Sequence, residues 1–141
     1  MIFDAEGRLL LLKPTYKKGW TIPGGQVEAS GESPWEACQR ETREECGLRV
    51  NHARLVCVDF LAPRPNRPGG MRFLFDCGIF TDEQLESIVL QEEELSEHCL
   101  AHLAEAVALL RGPVSRRVSA AVGADRCIYL EGGRPVPGVT S

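Results

Sequence analysis

Ser33-Pro34-Trp35-Glu36-Ala37-Cys38-Gln39-Arg40-Glu41-Thr42-Arg43-Glu44-Glu45-Cys46-Gly47-Leu48 is the stretch on which both the fold and the chemistry turn. It announces a helix at each end. Ser33 is an N-cap residue, Pro34 stands at the first helical position where its missing N–H does no harm, and Glu36 completes a capping box. Gly47 is the matching stop, because glycine readily takes the left-handed conformation that ends helices. The spacing therefore predicts a helix over Pro34–Cys46. At about 100° per residue, Trp35, Cys38, Thr42 and Cys46 fall within roughly 80° and form a core-facing stripe. Glu41 and Glu45 flank that stripe one turn apart, and Glu44 lies just beyond Glu41.

Three carboxylates at the border of core and solvent repel one another. A like-charge pair at i,i+4 costs roughly 0.2–0.5 kcal/mol, and Glu44 and Glu45 occupy the last turn, where the helix dipole prefers cations. Arg40 and Arg43 offset part of this, with Arg40 in reach of Glu44 at i,i+4. One reading is a solvated charged face. The other is a site for a hard divalent cation such as Mg²⁺ or Mn²⁺, which clustered carboxylate oxygens suit better than they suit zinc. The loop Ile22-Pro23-Gly24-Gly25 just upstream favours the second.

At this point the sequence resembles a known family. Gly25, then Glu32, then Arg40-Glu41-Thr42-Arg43-Glu44-Glu45-Cys46-Gly47-Leu48 is similar to the Nudix box of the Nudix hydrolases, of the MutT-like kind. Gly19-Trp20-Thr21-Ile22-Pro23-Gly24-Gly25 before the box is similar to what many members carry. Two departures are visible. Six residues rather than five separate Gly25 from Glu32, and Thr42 stands where an aliphatic is usual. The loop is expected to absorb the first, because the capped helix restarts in register at Ser33.

The resemblance implies an α/β/α sandwich with a mixed β-sheet and a magnesium-dependent hydrolase that cleaves a diphosphate linkage, with Mn²⁺ as a substitute metal. It implies that Glu41, Glu44 and Glu45 bind the metal, assisted by a backbone carbonyl at Gly24 or Gly25, while Glu32 and Arg40 brace the loop against the helix. A further glutamate from a later loop often joins such sites, and Glu93, Glu94 and Glu97 are the candidates. The implied substrate is a small nucleotide-type molecule: a nucleoside triphosphate, an oxidised nucleotide or an ADP-ribose-like compound. A Nudix-fold sensor that binds a nucleotide without turnover is the alternative, and the intact Glu41, Glu44 and Glu45 speak for the enzyme. Dimers are frequent in the family, so a homodimer is compatible with the resemblance.

Working outward, Asp4-Ala5-Glu6-Gly7 is a turn and Arg8–Leu12 reads as a buried strand. Only Met1-Ile2-Phe3 precedes that turn, a short stub that suggests a first strand cut at its N-terminus. Leu55–Leu61 and Met71–Phe80 read as strands around a loop, 62–70, holding three prolines and two glycines. Thr81–Glu97 is acidic and gives no clear periodicity. His102–Leu110 and Ser115–Val122 read as amphipathic helices, and Ile128–Val136 as a terminal hairpin turning on Gly132 and Gly133.

Other residues invite chemistry less specifically. Lys13, Tyr16, Lys17, Lys18 and Trp20 precede the glycine loop, either as contacts to a substrate's phosphates and base or as a solvated loop around a buried tryptophan. Arg64, Arg67 and Arg72 flank the proline loop and are candidates for holding a phosphate or for closing over the site. Pro63, fifteen residues after Leu48, has a spacing linked in the family to ADP-ribose-type substrates, but the fuller pattern around the glycine loop is absent. His98, Cys99 and His102 form an H-C-x-x-H cluster in which His98 and His102 would face one way on a helix, yet no second ligand pair stands at zinc spacing. There is no G-x-x-x-x-G-K-[ST] phosphate loop.

At 141 residues a single domain over 1–141 is expected. The formal charge of -4 argues against a general nucleic-acid binder. No apolar run is long enough for a membrane span, and no signal-peptide pattern opens the chain. The six cysteines form no C-x-x-C pair and sit mostly in apolar runs, which reads as small buried hydrophobes in a reducing, cytoplasmic setting.

Overall fold

The computed structural model describes residues 1–139. Its elements in chain order are β1 (Leu9–Pro14), α1 (Pro34–Cys46), β2 (Arg54–Leu61), β3 (Gly70–Asp76), α2 (Asp82–Glu86), β4 (Leu95–Ala101), α3 (Leu103–Leu109), α4 (Gly112–Ala121) and β5 (Ile128–Glu131). β1 pairs with β4 antiparallel. A three-stranded mixed sheet has the order β3-β2-β5, with β2 antiparallel to β3 and parallel to β5.

β1 explains the layering. Leu9, Leu10, Leu11 and Leu12 are all at most 1% exposed, so the strand is covered on both faces and reads as a continuous apolar run. Leu9 and Leu11 pack with Ala106, Leu110, Val118 and Ala121 of the α3–α4 region. Leu10 and Leu12 pack with Cys46, Leu48 and Leu85 beside α1 and α2. The result is the α/β/α sandwich with a mixed sheet. Each buried leucine contributes about 1.5–3 kcal/mol, which makes this strand the main apolar anchor between the layers.

The short N-terminal stub is a working piece of the sheets. Leu10 N–H donates to the Ile2 carbonyl, Cys77 N–H to that of Met1 and Phe80 N–H to that of Phe3, so residues 1–3 join β1 to the chain after β3. β3 accordingly stops at Asp76 rather than running to Phe80. The Asp76 carboxylate accepts the Gly78 N–H at 2.9 Å, and Gly78 turns the chain at φ 81°. The expected terminal hairpin is a strand plus a turn. β5 pairs with β2, and Gly132 and Gly133, both at positive φ, only fold Arg134 back on Glu131. His98 and Cys99 lie on strand β4, not on a helix, with His98 opposite Leu12. α4 begins at Gly112, three residues before the expected start, because Pro113 fits a first helical turn. Cys46, Cys57 and Cys77 are buried, but Cys127 is exposed, contrary to the buried reading.

α1 runs from Pro34 to Cys46, with the Ser33–Glu36 capping box closed in both directions and Gly47 left-handed at φ 73°. No helix among the described residues is long and apolar enough to cross a membrane. Ser33→Ala is expected to lower stability by about 1 kcal/mol, seen as an earlier urea midpoint with an unchanged slope.

Candidate active site

Burial along α1 differs from the wheel in one functional detail. Trp35 and Cys38 are only half-buried, whereas Glu45 is buried at 6% exposure beside Thr42 and Cys46. Its Oε1 accepts the Gly24 N–H at 2.8 Å. The glycine loop thus meets this carboxylate through an amide proton. Gly25 lies against Glu41 so closely that a Cβ there would come within 2.4 Å of the Glu41 carboxylate. A side chain at that point would push the Glu41 carboxylate out of its place.

Arg40 organises the rest. Its Nε donates to Glu32 Oε1 at 2.6 Å and its Nη2 to Glu32 Oε2 and the Gln26 carbonyl, both at 3.2 Å. Its Nη1 reaches Glu41 at 3.0 Å and Glu44 at 3.1 Å, with Glu28 at 3.6 Å. Glu32 also accepts the Glu28 N–H at 2.8 Å. The extra residue of the loop is taken up in the exposed turn at 29–31, where Gly31 has φ 95°, while the flanking residues stay tied to Arg40 and Glu32.

The chain after α1 returns to the site. Val89 N–H donates to the Cys46 carbonyl and Gln91 N–H to that of Glu45, while Thr15 N–H holds the Glu94 carbonyl at 2.8 Å. Of the three downstream candidates, Glu94 is the one whose charge bears on Glu41 and Glu45. Glu97 is drawn off to Lys13 at 3.3 Å, and Glu93 offers its carbonyl to the Thr15 hydroxyl at 3.0 Å. Glu94 also bears on Tyr16, whose phenol is raised first by local desolvation and then by Glu94, Glu45 and Glu41. Tyr16 is within electrostatic reach of the carboxylates although its ring is exposed, which an aromatic in a lysine-rich loop does not reveal.

Electrostatics rank the carboxylates. Burial raises Glu45 to about 7, and Glu41, Glu94 and Glu44 add to that, against the Gly24 amide. Burial also raises Glu41, opposed by Arg40. Arg40 holds Glu32 below the ordinary range. Hard oxygen donors, a glycine that leaves room for Glu41 and a buried carboxylate raised by its neighbours fit a divalent cation held by Glu41, Glu44 and Glu45. Arg40 holds Glu41 and Glu44, and no three His, Cys, Asp or Glu side chains among the described residues are arranged to hold a metal ion together.

The remaining candidates scatter. Trp20 is half-buried, bridges to Leu110 and carries the Lys13 ammonium 5.8 Å from its ring centroid. Lys18 is exposed. Arg72 lies elsewhere, opposite Asp59 in the β2–β3 ladder.

The NUDIX domain family profile matches residues 1–122. The chain belongs to that family. No curated protein matches it. Among solved structures it is similar to the mutator MutT protein of Bacillus halodurans, with TM-score 0.66 and 23% identity over 92% of this chain and 82% of that one. It is also similar to the E. coli dihydroneopterin triphosphate pyrophosphohydrolase, with TM-score 0.65 and 19% identity over 87% and 92%. The MutT protein of Methanosarcina mazei Go1 gives TM-score 0.63 and 22% identity over 78% of each chain. These likenesses are of fold.

Glu45 binds protons more tightly in the folded chain than in the unfolded one. Its contribution is therefore neutral below about pH 4.5 and turns destabilising as pH rises through about 7, by about 3 kcal/mol. In the presence of a chelator, Glu45→Gln is expected to melt above wild type at pH 8 and level with it near pH 4.5. A variant melting below wild type at pH 8 would contradict the assignment.

Proposed function

We propose that this Nudix chain works as a magnesium-dependent pyrophosphohydrolase. Its substrate would be a nucleoside diphosphate linked to another group, such as a nucleoside triphosphate, an oxidised nucleotide or an ADP-ribose-like compound. The observation that carries the reading is Glu45, buried and raised to about 7, set against Gly24 and Gly25 beside Glu41. A solvated charged face would leave that carboxylate in water. A buried one needs a cation to be stable when ionised.

Glu41, Glu44 and Glu45 hold the metal in this reading, with Mn²⁺ as a substitute. The bound ion supplies neutralisation of the phosphate oxygens and activation of a water. Arg40 and Glu32 keep the loop 24–32 on the helix, so that Gly24 and Gly25 stay in register with Glu45 and Glu41. Glu94, in the segment docked on the end of α1 and within electrostatic reach of Glu45, is the proposed acceptor of the proton from the attacking water. Lys18 and Trp20 are proposed substrate contacts at the mouth of the glycine loop. The three acidic groups and Glu94 favour turnover over a sensor role, because binding alone requires no activated water. The free thiols support a reducing, cytoplasmic setting, and residues 1–141 are proposed to act as one domain.

The test is release of phosphate, pyrophosphate or nucleoside monophosphate, with and without Mg²⁺. The panel holds oxidised and normal deoxynucleoside triphosphates, ADP-ribose, NADH, dinucleoside polyphosphates and nucleotide sugars. Metal-dependent turnover of at least one is expected; silence across the panel would favour a sensor. On a good substrate, Glu45→Gln and Glu44→Gln should keep cooperative melting and lose roughly 100-fold or more in kcat. Gly25→Ala, which drives a methyl into Glu41, should raise the Mg²⁺ concentration needed for half-maximal rate.

A further inference from the structure

Six arginines gather at the opposite face of the molecule from α1. Arg64 and Arg67 lie on the β2–β3 loop, Arg72 on β3, Arg116 and Arg117 on α4, and Arg134 just after the turn that follows β5. Asp59, fully buried on β2, is the acid nearest to Arg72, Arg116 and Arg117 among them. Asp59 Oδ2 accepts from Arg117 Nε and Nη2, both at 2.8 Å, and Oδ1 accepts the Gly133 N–H at 2.9 Å. Both oxygens are therefore engaged. Arg72 stands directly across from Asp59 in the β2–β3 register. Arg116 Nε donates to the Gly132 carbonyl at 2.9 Å, and Arg64 and Arg67 face each other across a bridge within their loop.

Arg64, Arg67, Arg72, Arg116 and Arg134 have no carboxylate within ion-pair distance among the described residues. Glu131, the nearest acid along the chain, accepts the Tyr129 hydroxyl at 3.0 Å. Arg67 Nε is shielded from solvent and has no acceptor, although buried donors are nearly always bonded. The cations also press on one another. Burial and then Arg117 and Arg67 hold Arg72 below its ordinary value; burial and then Arg134 do the same to Arg116, with Arg117 and Arg64 adding. In a chain of net charge -4 this is a costly accumulation unless an anion neutralises it.

We propose that this cluster, on the α4 side of the sheet, binds a small multiply charged phosphate anion such as pyrophosphate or the phosphate end of an ester. Guanidinium forks match phosphate oxygens two at a time, and several forks from three separate segments suit an anion with more than one charge. The confinement of the cluster to one corner of an acidic chain argues for a compact ligand over an extended nucleic acid. The site is separate from the carboxylates on α1, a helix that packs on the other face of β1 from α4.

The test is calorimetric titration of the whole protein in EDTA, where no metal can mediate binding, with pyrophosphate, inorganic phosphate, AMP and a single-stranded oligonucleotide. Saturable pyrophosphate binding that weakens with added NaCl is expected. It should be at least tenfold weaker in the double variant Arg64→Gln/Arg134→Gln, at two exposed positions, and unchanged in Glu45→Gln. AMP binding more tightly than pyrophosphate would identify the ester as the ligand source. No saturable binding of either phosphate compound, equal affinity in the double variant, or tighter binding of the oligonucleotide would overturn the proposal. The arginine Nε–H resonances of the wild-type protein give a second reading that needs no variant. Arg67 should shift on titration with the bound anion, and an unmoved Arg67 would also overturn it.

Discussion

Arg40 bonds to three glutamates and one carbonyl and lies within ion-pair distance of a fourth glutamate, and the order of the whole acidic end of α1 depends on it. Without that guanidinium, Glu28, Glu32, Glu41 and Glu44 would repel one another across a few ångströms, and the loop 24–32 would have no cation to fold around. Arg40 is only partly exposed, so its interactions are less screened than those of a surface pair. Lysine could not replace it, since a single ammonium lacks the planar fork that reaches several acceptors at once. Glu45 alone escapes this clasp and takes a backbone amide instead, which leaves it buried and weakly acidic.

The layering above and below the sheets sets where this end of α1 points. Leucines on alternate faces of β1 bind one helical layer each, so the acidic edge of α1 and the arginines near α4 are kept on opposite sides. The Asp59–Arg117 pair plays a structural part on its own side, because it ties β2, α4 and the turn after β5 to one point. A buried pair of this kind is more informative about positioning than about net stability.

Most of this was legible in the chain where the local signal was self-contained. The bounds of α1 follow from Ser33, Pro34, Glu36 and Gly47, all within one helix length, and the structure reproduces them. α2 carried the same kind of signal, a Thr81–Gln84 capping box, but a five-residue helix in an acidic stretch gives too little periodicity to be noticed. β4 was missed for another reason. Ser96, Glu97 and His98 are exposed in a row and Cys99 and Leu100 are both half-buried, so the strand lacks alternation. The pairing of Met1-Ile2-Phe3 with residues 77–80, and of β5 with β2, rests on contacts between distant segments that no local pattern records. In the site, the cluster of carboxylates on α1 is a local pattern, but proposing Glu94 over Glu93 and Glu97 rests on how a later segment docks on the carbonyls at the end of α1, a contact between distant residues.

Those carbonyls have a dynamic consequence. The last turn of α1 has its Glu45 and Cys46 carbonyls satisfied by the amides of Gln91 and Val89, in the segment that also carries Glu94. Opening this segment would therefore do three things in one event: fray the helix end, expose the buried Glu45 and carry Glu94 away. Such coupled openings behave as a single cooperative unit in hydrogen exchange. The acidic edge is thus assembled by a short non-helical strap whose own amides report, through their protection, whether the site is whole.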